Sequence, residues 1–295
     1  MVNAESRSNI DFHGKKIYYW IVGEGKRELV FLHGWAGKSE WWIRQIPALS
    51  KEYRMILVDL PGHGQSESLS KYGEKTLCSV LTEIIKILDV RKPVLFGWSL
   101  GGVVALQYAL DHPNKISGLI LIDTLPLARA MPSLGFLPTI PYHWMPDIRR
   151  VQPLIEVYSH FPETVLSFIY RLYSRRGVAA LLVNLLATGK KPDKRLVSWC
   201  TQTLLKDLNI KALFKILVAM VGFDLAERLS EIDVPTLIIH GNEDKLLSIQ
   251  YAELLHQNIK GSILKIVEGS GHCPHLEKPK DFNDAVLEFL KKIFR

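Results

Sequence analysis

Short apolar runs alternate with amphipathic stretches over the first 125 residues of the chain. The later runs are continuous and rich in Val, Ile and Leu, which is typical of strands buried on both faces of a parallel sheet. The runs predict strands at residues 16–22, 28–31, 54–58, 93–96 and 118–122, and the periodic stretches predict helices at 41–50, 75–88 and 102–112. This alternation indicates an α/β fold with a mostly parallel, doubly wound sheet.

The pattern changes between residues 127 and 222. Prolines cluster from 126 to 153, and helical periodicity then predicts helices at 163–173, 177–186 and 196–208. Beyond this segment the alternation returns, with strands predicted at 236–240 and 262–267 and helices at 249–257 and 280–293. We therefore predict one α/β core, residues 1–126 and 223–295, interrupted by a helical cap or lid at 127–222.

Composition agrees with a globular protein that has a large buried core. The chain has 295 residues, of which 47% are hydrophobic. Three scattered cysteines form neither a disulfide framework nor a metal-binding pattern, which favours a reducing compartment. The first residues lack the apolar core of a secretory signal, and no apolar run reaches membrane-spanning length. We expect a cytoplasmic location and no membrane span.

The net charge of +7 is concentrated in the predicted cap. Residues 127–222 hold 13 Lys and Arg against 5 Asp and Glu, so the rest of the chain is close to neutral. Such a segment is either an ordinary solvated surface or a docking site for an acidic partner, because clustered positive charge steers anions. We do not expect a nucleic-acid partner, since no nucleic-acid-binding motif accompanies the charge.

The strongest chemical signal is Gly97-Trp98-Ser99-Leu100-Gly101, which matches G-x-S-x-G between a predicted strand and a predicted helix. A serine on such a sharp turn presents its hydroxyl at the strand end, close to the positive end of the next helix. Ser99 is the predicted nucleophile.

His33-Gly34-Trp35 follows another strand, and the backbone N–H groups of Trp35 and Leu100 are the candidate oxyanion donors. We interpret His33 as a side chain that fixes its loop.

The acid and the base are predicted at the ends of later strands. Asp244 follows the strand at 236–240 and is favoured as the acid, with Glu243 and Asp123 as alternatives. His272 follows the strand at 262–267 and is favoured as the base over His275. The order of Ser99, Asp244 and His272 is the nucleophile–acid–base order of α/β hydrolases.

Over essentially its whole length the chain resembles the α/β-hydrolase superfamily. Its His33-Gly34-Trp35 and Gly97-Trp98-Ser99-Leu100-Gly101-Gly102 motifs resemble those of the pimeloyl-[acyl-carrier protein] methyl ester esterases of biotin synthesis. The cap segment Thr164-Val165 followed by Phe168 is also similar to that family. Residues 59–66 match a structural turn of the superfamily and carry no information about the substrate.

The resemblance implies a carboxyl-ester hydrolase that acts on the methyl ester of a carrier-bound pimeloyl chain. It implies that Trp35, Phe168, Ile169 and Leu172 lie near the substrate, although core packing is an equal interpretation of Phe168. It further implies that basic cap residues dock an acidic acyl carrier protein, a role assigned here to Arg171, Arg175 and Arg176.

Other functions on this fold stay open at this point. They are a broad short-chain carboxylesterase, a carbon–carbon bond hydrolase and a non-catalytic ligand-binding protein. Ser99 argues against haloalkane dehalogenases and epoxide hydrolases, which need a carboxylate at that position. We expect neither a metal nor another cofactor, because the histidines lack H-x-x-x-H spacing and no phosphate-binding loop or dinucleotide fingerprint occurs.

Overall fold

The computed structural model describes residues 7–126, 175–184, 188–207, 209–220 and 223–294. Its strands form one eight-stranded sheet in the order β1-β2-β4-β3-β5-β6-β7-β8. The strands are β1 (Arg7–Phe12), β2 (Lys15–Val22), β3 (Arg27–Leu32), β4 (Tyr53–Val58), β5 (Val94–Trp98), β6 (Gly118–Ile122), β7 (Thr236–Gly241) and β8 (Ile263–Val267).

The sheet is antiparallel at one end and parallel over the rest. β1 pairs with β2, and β2 pairs with β4, in antiparallel register. From β4 through β3, β5, β6 and β7 to β8 every pairing is parallel. The carboxyl ends of the parallel strands therefore meet at one edge, where ligand sites of open α/β sheets form.

Helices cover both faces of this sheet. The described helices are α1 (Ile46–Leu49), α2 (Glu74–Ile87), α3 (Leu100–Asp111), α4 (Arg176–Leu182), α5 (Lys194–Lys206), α6 (Ile210–Ala219), α7 (Ile249–Asn258), α8 (Pro274–Glu277) and α9 (Pro279–Ile293). α2, α3 and α7 contribute to one apolar core, whereas α1, α5 and α9 contribute to the other. The predicted doubly wound α/β fold is confirmed.

Most predicted elements of the core are confirmed within a few residues, but the helix predicted at 41–50 is wrong. The structure has a 3-10 turn at Ser39–Trp42 and only a single helical turn, α1. Pro47 explains the break, because proline lacks an N–H donor and clashes with the preceding turn of a longer helix. The edge strand β1 was not predicted.

The predicted helices in residues 127–222 have different outcomes. α4 and α5 confirm the predictions at 177–186 and 196–208, whereas α6 was not predicted. The helix predicted at 163–173 lies outside the described residues. The described residues from 175 to 220 contain no strand, and the exact boundaries of the cap stay a prediction. In the part of the chain that the structure covers, no helix has the length and apolarity needed to cross a membrane.

Candidate active site

Ser99 lies at the turn between β5 and α3, as predicted. Its backbone φ of 51° is in the left-handed region, which few residues other than glycine adopt. The strained turn is held on both sides: the Ser99 N–H donates to the Ile122 carbonyl at 2.9 Å, and the Thr124 hydroxyl donates to the Ser99 carbonyl at 2.7 Å. Strain of this kind is retained where the surroundings fix it, and it is common at catalytic sites.

The glycines of the Ser99 motif are required by close backbone approach. A Cβ atom on Gly101 would lie 2.2 Å from the Leu32 carbonyl oxygen, and one on Gly97 would lie 2.5 Å from the Gly102 Cα atom. Both distances are shorter than real contacts of a Cβ atom. The G-x-S-x-G spacing therefore reflects tight packing of α3 against β3 and β5.

The loop after β3 lies directly against Ser99. A Cβ atom on Gly34 would lie 3.0 Å from the Ser99 Cβ atom, so only glycine fits without a shift. Trp35 follows directly, and Leu100 occupies the first turn of α3, where backbone N–H groups have no acceptor within the helix. The loop is fixed by His33, whose Nδ1 bonds the Gly34 carbonyl at 2.8 Å, as the sequence predicted.

The structure pairs His272 with Asp244, the two residues predicted as base and acid. The His272 Nδ1 lies 2.7 Å from Asp244 Oδ2, and the Asp244 carboxylate has no exposed surface. Burial acts to raise the pKa of Asp244, but the nearby His272 and His240, with hydrogen bonds to the carboxylate, outweigh it and hold the pKa below its usual value. The lowered pKa favours the ionised form of Asp244, which is the form that the orienting acid of a triad needs.

Asp123 is the rival acid that lies nearest to this pair. Its Oδ1 accepts the Gly241 N–H at 2.9 Å, and its Oδ2 has no hydrogen-bond partner among the described residues. Burial and the neighbouring charge of Asp244 raise the pKa of Asp123 well above its usual value. Because the charged form of Asp123 is disfavoured and the His272 Nδ1 bonds Asp244, the structure favours Asp244 over Asp123 as the acid.

The other alternative acid, Glu243, and the alternative base, His275, have different environments. Glu243 accepts the backbone N–H of Lys190. His275 is fully buried between Trp42 and Trp98, at ring-centroid distances of 4.6 and 4.9 Å. Neither ring nitrogen of His275 has a partner among the described residues, and burial lowers its pKa to about 3. His275 is therefore a neutral packing residue.

We predict that His275→Phe makes the protein more resistant to acid. Because burial lowers the pKa of His275 from 6.5 to about 3, the unfolded chain binds a proton there that the folded chain excludes between these values. As the pH falls through this window, the wild type loses about 1.4 kcal/mol of stability per pH unit at this site. Urea unfolding at a series of pH values should show a shallower decline for the variant. Parallel curves would contradict the prediction.

Sequence reasoning missed the support that Trp98 gives to His272. The Trp98 indole N–H donates to the His272 carbonyl at 2.7 Å, and the indole stacks on Trp41 at 5.3 Å between ring centroids. Trp98, the residue before Ser99, thus holds the loop that carries His272. A tryptophan inside the G-x-S-x-G motif was the available signal, but only the fold reveals its partner 174 residues away.

Asp123, Asp244 and His272 also bring potential metal-ligand atoms within 4.8 Å of one another. We interpret them as an acid–base cluster, because Asp244 and His272 are hydrogen-bonded to each other and the carboxyl group of Asp123 accepts a backbone N–H.

Helix α6 contacts the loop after β3 that lies against Ser99. Trp35 donates its indole N–H to the Leu213 carbonyl of α6 at 2.8 Å, although 41% of the residue is exposed. Arg175 and Arg176 are exposed at the start of α4. The other predicted substrate-binding and carrier-docking residues, Phe168, Ile169, Arg171 and Leu172, lie outside the described residues.

Comparison with known proteins gives a consistent family. Residues 29–285 match the model of the alpha/beta hydrolase family. The pimeloyl-[acyl-carrier protein] methyl ester esterase of Yersinia enterocolitica is 30% identical over 286 residues, covering 94% of this chain and 98% of the relative. That of Serratia marcescens is 31% identical over 278 residues, covering 93% and 98%. An esterase structure from Exiguobacterium antarcticum superposes with a TM-score of 0.75 at 28% identity, covering 94% of this chain and 96% of that one.

Proposed function

The chain belongs to the α/β hydrolase family, and from that premise we propose that it hydrolyses carboxylic esters through an acyl-enzyme on Ser99. The observation that carries the proposal is the 2.7 Å pairing of His272 with the buried Asp244 on the same sheet edge as the strained Ser99 turn. The esterase names of its relatives support the same reaction class.

In the proposed reaction His272 takes the Ser99 proton as the serine oxygen attacks the ester carbonyl. The backbone N–H groups of Trp35 and Leu100 stabilise the oxyanion that forms. His272 then passes the proton to the leaving alcohol, and the C–O bond of the ester breaks to leave acyl-Ser99. Water, deprotonated by His272, attacks the acyl carbon and releases the acid, after which the proton returns to Ser99. Asp244 orients the imidazole and stabilises the imidazolium in both halves.

We further propose a carrier-bound acyl methyl ester as the substrate, with residues 127–222 as the lid that receives it. Support comes from relatives named as esterases of pimeloyl-[acyl-carrier protein] methyl ester and from the exposed Arg175 and Arg176 on an otherwise basic insertion. The decisive comparison is kcat/KM for pimeloyl methyl ester on acyl carrier protein and without it, at low and high salt. Equal kcat/KM values for the carrier-bound and the free ester, unchanged by salt, would indicate a general carboxylesterase instead.

Replacing Arg175 and Arg176 together with alanine should lower kcat/KM for the carrier-bound ester about tenfold or more at low salt, because charge steering of this size is typical of complementary surfaces. The rate on the free methyl ester should not change, and the difference should shrink at high salt. A matched control is Lys280→Ala with Lys292→Ala, which removes two exposed cations from α9. An equal loss in both double variants would refute a specific docking role.

A further inference from the structure

The loop that carries His272 is organised around the carboxylate of Glu277. One oxygen, Oε1, accepts the Gly271 N–H at 2.9 Å, the Ser270 hydroxyl at 3.2 Å and the Cys273 N–H at 3.4 Å. These donors lie on both sides of His272 in sequence. Because a carboxylate with several N–H and O–H donors forms stronger bonds than a neutral acceptor, the backbone around His272 is tightly fixed.

The second oxygen of Glu277 contacts the insertion. Its Oε2 accepts the N–H of Gly189 at 2.8 Å, across 88 residues of sequence. The neighbouring residues are held by the same region of the core: Glu243 accepts the N–H of Lys190, and the Lys245 ammonium group donates to the Thr188 carbonyl at 3.2 Å. The segment 188–190 is thus anchored by three charged side chains around the base loop.

The two backbones are in direct contact at this point. A Cβ atom on Gly271 would lie 2.4 Å from the Thr188 carbonyl carbon and 2.5 Å from the Gly189 nitrogen. Any displacement of segment 188–190 must therefore act on the residue before His272. Glu277 bonds both partners and is mostly buried, so it is placed to transmit such a displacement.

We propose that Glu277 is a positioning residue that couples the placement of segment 188–190 to the orientation of His272. The proposal rests on the role of His272 as the base and adds a connection between the insertion and the chemistry. A shift of residues 188–190 would then change the orientation of His272, since the same carboxylate holds both segments. Glu277 does not touch the reacting atoms, so its effect passes through the loop.

The test is Glu277→Gln. Glutamine keeps the shape of the side chain, but it has only one oxygen that can accept hydrogen bonds, whereas the donors of the wild type share two. We expect kcat on a chromogenic short-chain ester to fall about tenfold to a hundredfold, the range typical of residues that orient a functional ligand or base, with KM little changed. Glu253→Gln is the control, because Glu253 is an exposed glutamate on α7. Equal kcat in wild type and Glu277→Gln would overturn the positioning role.

Amide hydrogen exchange tests the coupling itself. In Glu277→Gln, peptides containing 188–190 and 270–273 should both exchange faster, while β5 stays protected. Faster exchange in the loop alone would overturn the link to the insertion. Ser270→Ala, which removes one donor to Glu277, is a milder variant for the case in which Glu277→Gln does not fold, and it should lower kcat in the same direction. If the wild type hydrolyses no ester, the proposed function fails, whereas the exchange comparison still reports on Glu277.

Discussion

Ser99→Ala should lower kcat for ester hydrolysis about a millionfold, the loss seen when the nucleophile of a serine hydrolase is removed. The reason is that no other group can form the acyl intermediate, so only binding and the oxyanion donors remain to assist water. The fold should be preserved, because the Ser99 side chain makes no capping hydrogen bond to α3. Activity is measured with a chromogenic ester and with pimeloyl methyl ester.

The control for this prediction is Ser79→Ala. Ser79 is exposed on α2, where its hydroxyl donates to the Lys75 carbonyl at 2.9 Å. The Ser79→Ala substitution removes the same hydroxyl group as Ser99→Ala, but at a position outside the candidate site. Its activity should equal that of the wild type. Retention of ester turnover by a folded Ser99→Ala protein would show that another group is the nucleophile. Binding of ester without turnover in the wild type would favour a non-catalytic member of the fold.

Asp244→Asn should lower kcat about 10⁴-fold, because the amide no longer stabilises the imidazolium and selects the wrong tautomer of His272. Asp123→Asn should cause a much smaller loss, because Asp123 accepts the Gly241 N–H, whereas His272 bonds Asp244, and because burial and the nearby Asp244 disfavour the charged form of Asp123. The pair of variants therefore distinguishes two buried carboxyl groups that each have an oxygen within 4.8 Å of a ring nitrogen of His272. Rates are compared at neutral pH under saturating ester.

The opposite ranking would contradict the assignment. If Asp123→Asn were the more damaging change, Asp123 would be the orienting acid and the hydrogen bond between His272 and Asp244 would be incidental. Glu243→Gln completes the set, because Glu243 was the third candidate and its carboxylate bonds the Lys190 backbone. Its kcat should fall far less than that of Asp244→Asn.

The central strands could be predicted from the sequence because burial on both faces demands continuous apolar runs. β6, for example, reads Gly-Leu-Ile-Leu-Ile and every residue is buried. β1 was not predicted because its sequence, Arg-Ser-Asn-Ile-Asp-Phe, is mostly polar. It is an edge strand that pairs only with β2. Its formation depends on a partner strand, which local pattern does not reveal.

The candidate site also contains residues that local motifs predict and residues that only the fold reveals. Ser99, Asp244 and His272 could be selected because local motifs follow strand ends that a parallel sheet brings to one edge. The sequence favoured Asp244 but left Asp123 open, and the argument against Asp123 rests on burial and charge, which depend on neighbours distant in sequence. Glu277 could not be selected at all, because its role lies in contacts with Gly189 and with the His272 loop.

The most direct test of the central claim is covalent trapping with a fluorophosphonate ester, followed by mass spectrometry of the intact protein and its peptides. We predict one adduct per chain, located on Ser99, formed in step with the loss of ester turnover and absent from Ser99→Ala. An adduct on a different residue that abolishes turnover, or full turnover by protein labelled at Ser99, would contradict the account.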